Sequence, residues 1–558
     1  MFAAHDQFGD DLLGEHETMR GFANEPHMDF SHAEARDAFA EAIAAVRARL
    51  PVYEPLVIDG GRIDTGEGIR IQSPSDLSVT VGESACAAAA EASHATAAAC
   101  RAFGSWSLAS PAERAEILLR AAEIARRRRL ELAAIEVFEC AKPWREADAD
   151  VCEAIDFLEY YARRMLLLAD PVRLQPNVLG ELNELVRMPL GVVAVIGPWN
   201  FPLAIPVGMM AAAVVAGNAV VWKPARQSPL ILGAMMRILE EAGLPPGVVN
   251  YLPGRGEVAG RALVESPRVN MIAFTGSREV GLSILRAASV VPDGQRFVKR
   301  LVLEMGGKNA MIVDASADLD AALTDILVSA FGYSGQKCSA LSRLIIDDSV
   351  YEELMGRLGE AVASLRIAPA WEPTCQINAL IDAGARARVE GAIELACSDG
   401  RAVFMGDAGE YSGRGHYVAP ALFDGLPRSH ELVRQEIFGP VLIVMRAGSF
   451  DEALDIANDS DYGLTGGVYS RTPSHLELAR RKMQCGNLYL NRAITGAIVG
   501  RQPFGGIKLS GIGDKAGGPD YLLQFMASRS VSENLMRHGY APIKAPAKPQ
   551  ARGPRAIG

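Results

Sequence analysis

No Cys-x-x-Cys pair and no disulfide framework can be found among the eight cysteines of this 558-residue chain. That fits a reducing compartment and suggests no structural metal site. Nor is there an excess of positive charge. A formal net charge of −11 excludes a nucleic-acid backbone as the main partner. The densest basic run, Arg126 to Arg129, sits in a helical pattern and reads as a solvated helix face. No internal repeat of a solenoid period is present. The opening residues, Met1-Phe2-Ala3-Ala4-His5-Asp6, lack the layout of a signal or transit peptide, so the expected location is the cytoplasm. Residues 188–222 lack charge altogether, and length alone would suggest a membrane span. Pro189, Gly191, Gly197, Pro198, Pro202, Pro206, Gly208 and Gly217 divide that run into strand (192–196), buried helix (203–216) and strand (219–222). No membrane is expected as a partner.

The length allows two or three domains, and an apolar fraction of 49% is ordinary for a globular chain with a large core. Residues 1–30 have no strong periodicity and are expected to form a loosely packed arm. Ser31-His32-Ala33-Glu34 reads as a capping box for a helix with Phe39, Ile43, Val46 and Leu50 on one face. Residues 55–82 alternate and turn like short strands. Ser110-Pro111-Ala112-Glu113 opens another helix, and helical pattern then runs to about residue 168. From 190 to 303 short apolar strands (192–196, 219–222, 248–252, 271–274, 301–303) alternate with amphipathic helices. Connections of that length imply βαβ crossovers and a parallel sheet covered on both faces. A second alternating section, from 310 to about 500, contains strands 344–346, 441–445 and 488–491 and reads as a second α/β domain. The tail 541–558 is rich in Pro, Ala, Lys and Arg and is expected to be disordered.

Ligands of open parallel sheets bind beyond the carboxyl ends of the strands. Pro198-Trp199-Asn200, Lys223-Pro224, Phe274-Thr275-Gly276-Ser277 and Glu304 all fall at or just past such ends. Gly276-Ser277-Arg278-Glu279-Val280-Gly281 follows a strand and opens a helix, where glycine permits close backbone approach and free N–H groups suit a pyrophosphate. The stretch around Gly254, Gly256 and Gly260 also follows a strand, with a glycine spacing that departs from the usual dinucleotide fingerprint. Structural turns would explain either stretch alone; together on one sheet they favour a dinucleotide. Gly335-Gln336-Lys337-Cys338-Ser339 places one cysteine among small and polar residues, shortly after an apolar helical run (319–331). Only a thiolate in a reachable, polar setting does chemistry. A cysteine hydrolase would need a histidine base, and none of the nine histidines lies in these motifs.

Taken in order with Pro198-Trp199-Asn200-Phe201-Pro202, Leu303-Glu304-Met305-Gly306-Gly307-Lys308, Gln435-Glu436-Ile437-Phe438-Gly439-Pro440 and Pro503-Phe504-Gly505-Gly506, the cysteine motif resembles the signature set of the aldehyde dehydrogenase superfamily. The resemblance implies an α/β fold with a parallel-sheet dinucleotide-binding domain (189–309) and a second α/β catalytic domain (310–517). It implies further an N-terminal arm with the helical part of the cofactor domain (1–169), an oligomerisation hairpin (170–188) and a C-terminal oligomerisation strand (518–540). It implies a homo-oligomer, at least a dimer. It assigns Cys338 as nucleophile, Asn200 with the Cys338 backbone N–H as oxyanion donors and Glu304 as the base that activates water, the Met305-Gly306-Gly307 backbone letting Glu304 swing. Lys223 would hold the adenosine ribose, Ser277 the pyrophosphate and Glu436 the nicotinamide ribose, with Phe438 beside it. The cofactor expected is NAD. Arg226 stands where NAD-preferring relatives often carry glutamate and would accept the 2′-phosphate of NADP.

The stretch 294–300, Gly335 to Ala340 and the stretch 488–506 narrow the resemblance to the L-glutamate γ-semialdehyde (1-pyrroline-5-carboxylate) dehydrogenase branch. Such a substrate carries a carboxylate and an ammonium remote from its aldehyde. Thr495-Gly496-Ala497 is a small-residue loop whose N–H groups suit a carboxylate. By resemblance Gly496, Ala497 and the Ser339 hydroxyl bind it, Glu153 accepts the ammonium, and Phe201 and Phe504 line the aliphatic middle. Another semialdehyde of the succinic type is the nearest rival, and a non-enzymatic relative a more remote one. Proline oxidation produces the substrate, so a proline dehydrogenase is an expected functional partner.

Overall fold

The computed structural model describes residues 21–174 and 180–536; the expected disordered tail lies outside them, as do residues 1–20 of the arm. The chain starts with a layer of helices, Ala33–Arg47, Ala89–Trp106, Pro111–Arg127, Arg129–Glu139 and Trp144–Leu167. Pro111–Arg127 begins as its sequence predicts: Ser110 Oγ accepts from the Glu113 N–H at 3.2 Å, and Glu113 Oε2 accepts from the Ser110 N–H at 2.8 Å.

Three expectations in this layer are corrected. Ser31 does not cap its helix: His32 occupies the cap position without a side-chain hydrogen bond, and the Ser31 N–H is spent on Asp29. Residues 21–30 are not loosely packed, because Asn24 and Glu25 both bond Asp156 and Phe30 packs edge-on to Trp144. The Arg126–Arg129 run is not simply a solvated face. The helix breaks at Arg128, Arg126 pairs with Glu25 and Glu159, and Arg129, only 12% exposed, pairs with Asp148. Two of the four arginines therefore clamp the arm to the Trp144–Leu167 helix.

The first large sheet has eight strands in the order Gly511–Ile512, Arg300–Glu304, Val269–Thr275, Val192–Ile196, Ala219–Lys223, Val249–Tyr251, Leu56–Ile58, Gly61–Ile63. The five expected strands form its parallel centre. Antiparallel strands extend both edges, one of them returning from residue 511. Val193, Val195, Val220 and Trp222 pack into one core, while Val192, Ala194, Ala219 and Val221 pack into another. Alternate side chains are thus buried on opposite faces, which is why the strands read as unbroken apolar runs. The second sheet has seven strands, Arg401–Met405, Ala421–Asp424, Val441–Ala447, Leu341–Asp347, Asn309–Val313, Thr465–Tyr469 and Asn487–Leu490, parallel except at Arg401–Met405. It too has two cores, Ile312 and Ile345 on one side and Met311 and Leu344 on the other.

Among the described residues, those of 170–187 and 528–536 form a separate compact unit. In it Val172–Arg173 pairs antiparallel with Glu181–Pro189, which is also bordered by Met526–Asn534. Among the described residues no helix is long and apolar enough to cross a membrane.

Candidate active site

Helix Leu319–Phe331 ends at Gly332, and the chain then reverses through left-handed backbone at Tyr333 and Ser334 (φ 53° each) and Gly335 (φ 70°). Such backbone is unfavourable for side chains and persists only where surroundings hold it. Here Tyr333 Oη donates to the Cys140 carbonyl at 2.8 Å, Ser334 bonds Asn378, and a Cβ on Gly335 would lie 2.3 Å from the Gly439 carbonyl oxygen. The reversal delivers Cys338. Asn309 Nδ2 donates to the Cys338 and Ala340 carbonyls at 2.7 and 2.8 Å, and Asn200 Nδ2 donates to the Gln336 carbonyl at 2.9 Å. The Asn200 amide therefore lies against the segment that carries the thiol, with its second N–H proton unspent in any described bond.

Glu304 ends its strand, and its carboxylate accepts the Gly506 N–H at 3.2 Å. Burial pushes its carboxyl up to about 8, against the pull of the Gly506 N–H and Lys515. Burial, with Glu436 and Glu304 nearby, pushes the Cys338 thiol up to about 12, while the N–H groups of Ser339 and Cys338 draw it down. The glycines after Glu304, expected to let it swing, are also closely packed. A Cβ on Gly306 would lie 2.1 Å from Glu436 Oε2, and one on Gly307 would lie 2.7 Å from the Cys338 carbonyl oxygen. The Cys338 carbonyl is a reason for glycine at 307, whereas at 306 the neighbour is the end of a flexible side chain.

Two small cavities meet at Cys338. One, of about 90 Å³, is lined by Glu153, Phe201, Ser339, Gly496, Ala497 and Phe504 among others. The other, of about 40 Å³, is lined by Glu304, Met209, Thr275 and Tyr161; Phe157, Ile205, Phe504, Ala516 and Cys338 are common to both. The structure thus places all six expected substrate residues around one cavity that Cys338 lines, and the expected base in the adjoining cavity that Cys338 also lines. Glu153 is half-buried in the first cavity, and burial, then Asp150, pushes its carboxyl up to about 8. A larger cleft of about 820 Å³, lined by Trp144, Glu146 and Tyr333, does not reach Cys338.

The residues expected to hold a dinucleotide lie along the carboxyl ends of the first sheet. Lys223 is buried, donates to the Pro224 carbonyl at 3.1 Å and is brought down to about 8 by burial, so an ammonium with donors to spare faces the stretch containing Gly256. Gly256 has nothing within 4 Å of a Cβ position, which leaves room for close approach. Gly276 and Gly281 have a different cause: a Cβ would lie 2.5 Å from the Phe274 ring or from Met305 Sδ, so these glycines fit helix Arg278–Ala288 against its strands. Ser277 caps that helix, accepting the Val280 N–H at 3.4 Å, and leaves the first-turn N–H groups for an anion. Glu436 Oε1 accepts the Gly307 N–H at 2.9 Å, and burial pushes its carboxyl up to about 7. Phe438, at φ 59°, meets Trp199 edge-on at 5.5 Å. Spare donors at Lys223 and at the N-terminus of helix Arg278–Ala288, with an acceptor at Glu436 near the sulfur, fit a dinucleotide. Arg226, 64% exposed, stands 4.0 Å from Asp382. Among the described residues no cluster of His, Cys, Asp and Glu could hold a metal ion.

Sequence reasoning missed Phe157 and Tyr161, which line the cavities one and two turns beyond Glu153 on the same helix face; the i, i+4, i+8 spacing was the available signal. Gly506, the donor to Glu304, was singled out only as part of the Pro503-Phe504-Gly505-Gly506 motif, without a role.

A parallel sheet suited to a dinucleotide, and a cysteine flanked by an amide donor and a buried carboxyl, define a class: oxidoreductases that work through a cysteine nucleophile. The profile of the aldehyde dehydrogenase family matches residues 63–531, and the chain belongs to that family. A 1-pyrroline-5-carboxylate dehydrogenase from Geobacillus thermodenitrificans is 46% identical over 514 residues, covering 92% of this chain and 99% of that protein. One from Bacillus subtilis is 43% identical, with the same coverage of both chains. Among solved structures, a 1-pyrroline-5-carboxylate dehydrogenase from Thermus with bound NAD superposes with a TM-score of 0.90 at 46% identity, covering 92% of this chain and 99% of that one. Proline utilization A from Bdellovibrio bacteriovorus superposes at 0.91 with 45% identity, covering 94% of this chain and 54% of that one.

Proposed function

We propose that this chain oxidises L-glutamate γ-semialdehyde to L-glutamate with NAD, in proline catabolism. The observation that carries the reading is the cavity in which Cys338, Glu153, Ser339, Gly496 and Ala497 meet. The Cys338 thiol gives up its proton to water as its sulfur bonds to the aldehyde carbon, and the carbonyl electron pair moves onto oxygen. The free N–H of the Asn200 amide and the Cys338 backbone N–H donate to that oxyanion, each such donor being worth about 3 kcal/mol in the transition state. A nicotinamide held beside the sulfur by Glu436 and Phe438 would supply the hydride acceptor, and loss of hydride from the carbon leaves a thioester on Cys338. In its ionised form Glu304 takes a proton from water, the water oxygen bonds to the thioester carbon, and the thiolate departs. Phe157, Phe201, Phe504 and Ile205 keep bulk water from the reacting carbon.

The remote end of the substrate sets the specificity. Gly496, at φ 73° with nothing within 4 Å of a Cβ position, turns the loop so that its N–H groups can meet the carboxylate, and Ser339 adds a hydroxyl. Glu153 offers the acceptor for the ammonium. A succinic-type substrate would set a carboxylate against Glu153 with no cation between. The supply of substrate by a proline dehydrogenase, a cytoplasmic location and assembly at least into a dimer complete the reading.

The test follows absorbance of the reduced nicotinamide with a panel of semialdehydes. Glutamate semialdehyde should have the highest kcat/KM; a preference for succinic semialdehyde overturns the substrate. Cys338→Ala should abolish oxidation. Glu304→Gln should give one burst of reduced cofactor and then slow turnover, and full steady-state activity would remove Glu304 from its role.

A further inference from the structure

Lys142 is absent from every step above, yet it lies at the back of the site and is fully buried. It sits in the short connection between helices Arg129–Glu139 and Trp144–Leu167, next to Ala141 at φ 52°. Its Nζ donates to Asp150 Oδ2 at 2.9 Å and to the Asn200 carbonyl at 3.1 Å, and stands 3.5 Å from Glu136 Oε2. The ammonium also lies 4.3 Å from the centre of the Phe201 ring and 5.3 Å from that of Tyr333. Burial works against the charge, but Asp150 and Glu136 outweigh it and hold the ammonium above the ordinary lysine value.

These contacts converge on one short segment. Asp150 Oδ1 accepts the N–H of Ala204 at 3.0 Å, so the lysine grips the carbonyl of Asn200 while its carboxylate partner grips the chain four residues on. The Asn200–Ala204 turn is thereby fixed at both ends. Phe201, between them, has one face toward the ammonium and lines the cavity at Cys338. Tyr333, the other ring near Nζ, opens the reversal that delivers Cys338. One cation therefore joins the oxyanion donor, an aromatic wall of the cavity and the nucleophile's turn, while touching no substrate-lining space itself.

We infer that Lys142 is a positioning residue: through its hold on the Asn200 carbonyl and the Phe201 ring it sets the amide where the oxyanion forms. The inference rests on the proposed roles of Cys338 and Asn200, and a wild-type burst of reduced cofactor that is lost in Asn200→Ala checks those roles separately. Lys142→Met keeps the stem and removes the charge. Lys142→Met with Asp150→Asn also removes the carboxylate that would otherwise be left buried alone. The measurements are the burst rate, the dissociation constant for NAD and the rate at which iodoacetamide alkylates Cys338, a reaction that forms no oxyanion. Both variants should slow the burst by about tenfold or more. Alkylation and NAD binding should stay within about twofold of wild type, with kcat falling more than KM rises. The inference is overturned if burst and alkylation fall together, if the burst in the double variant matches wild type, or if neither variant folds, since the cluster would then serve stability alone.

Discussion

Glu304, Glu153 and Glu436 all lie near Cys338 or the cofactor positions with carboxyls pushed up by burial, to about 8, 8 and 7. A carboxyl that holds its proton more tightly in the fold than in the unfolded chain costs stability as pH rises. For Glu304 the unfolded group ionises near 4.5, so the loss accumulates between that value and about 8 and is complete above it. Glu304→Gln should therefore melt higher than wild type near pH 9 and by a much smaller margin near pH 5, by differential scanning fluorimetry. Equal margins would mean that Glu304 is not desolvated. At the adenosine end, Arg226 is exposed and only loosely paired with Asp382, so it is free to meet a 2′-phosphate. Wild type should still favour NAD in kcat/KM at matched aldehyde, and Arg226→Glu should widen that preference by about tenfold or more. A strong NADP preference in wild type would reverse the cofactor assignment.

At the scale of elements, the loop carrying Gly496 and Ala497 is where the site is most exposed to test. Ala497→Leu should raise KM for glutamate semialdehyde far more than for propionaldehyde, because only the former must place a carboxylate there. Equal increases would dissolve the anchor. The elements also differ in how far they could be read in advance. The central strands were legible because burial on both faces leaves an apolar run, and the Pro111–Arg127 helix because its cap is local. The Gly511–Ile512 strand was not. Two residues have no period, and only pairing with Leu303 and Glu304 makes them a strand.

For the whole molecule, the Met526–Asn534 strand has one neighbour, Glu181–Pro189, among the described residues, and its other edge is open. An open edge is a template for pairing with another chain. Light scattering should give a mass of at least a dimer, and Val531→Pro, which breaks that edge, should shift it to a smaller species. A monomeric wild type would refute the assembly. The expected substrate and cofactor residues come from eight separate stretches of chain, and two sheets, each with two cores, hold the strand ends beside them fixed.

The amino-acid order by itself determined the parallel sheet, the strand-end positions of Asn200, Lys223, Ser277 and Glu304, and Cys338 as the residue around which chemistry would gather. Those follow from periodicity and local turns, which act over a few residues. Only the tertiary structure decided that Glu153 is half-buried in a cavity shared with Cys338, that Arg126 and Arg129 clamp the N-terminal arm, and that Lys142 bonds the Asn200 carbonyl. Each depends on burial and on partners far away along the chain, and neither leaves a mark in the local pattern.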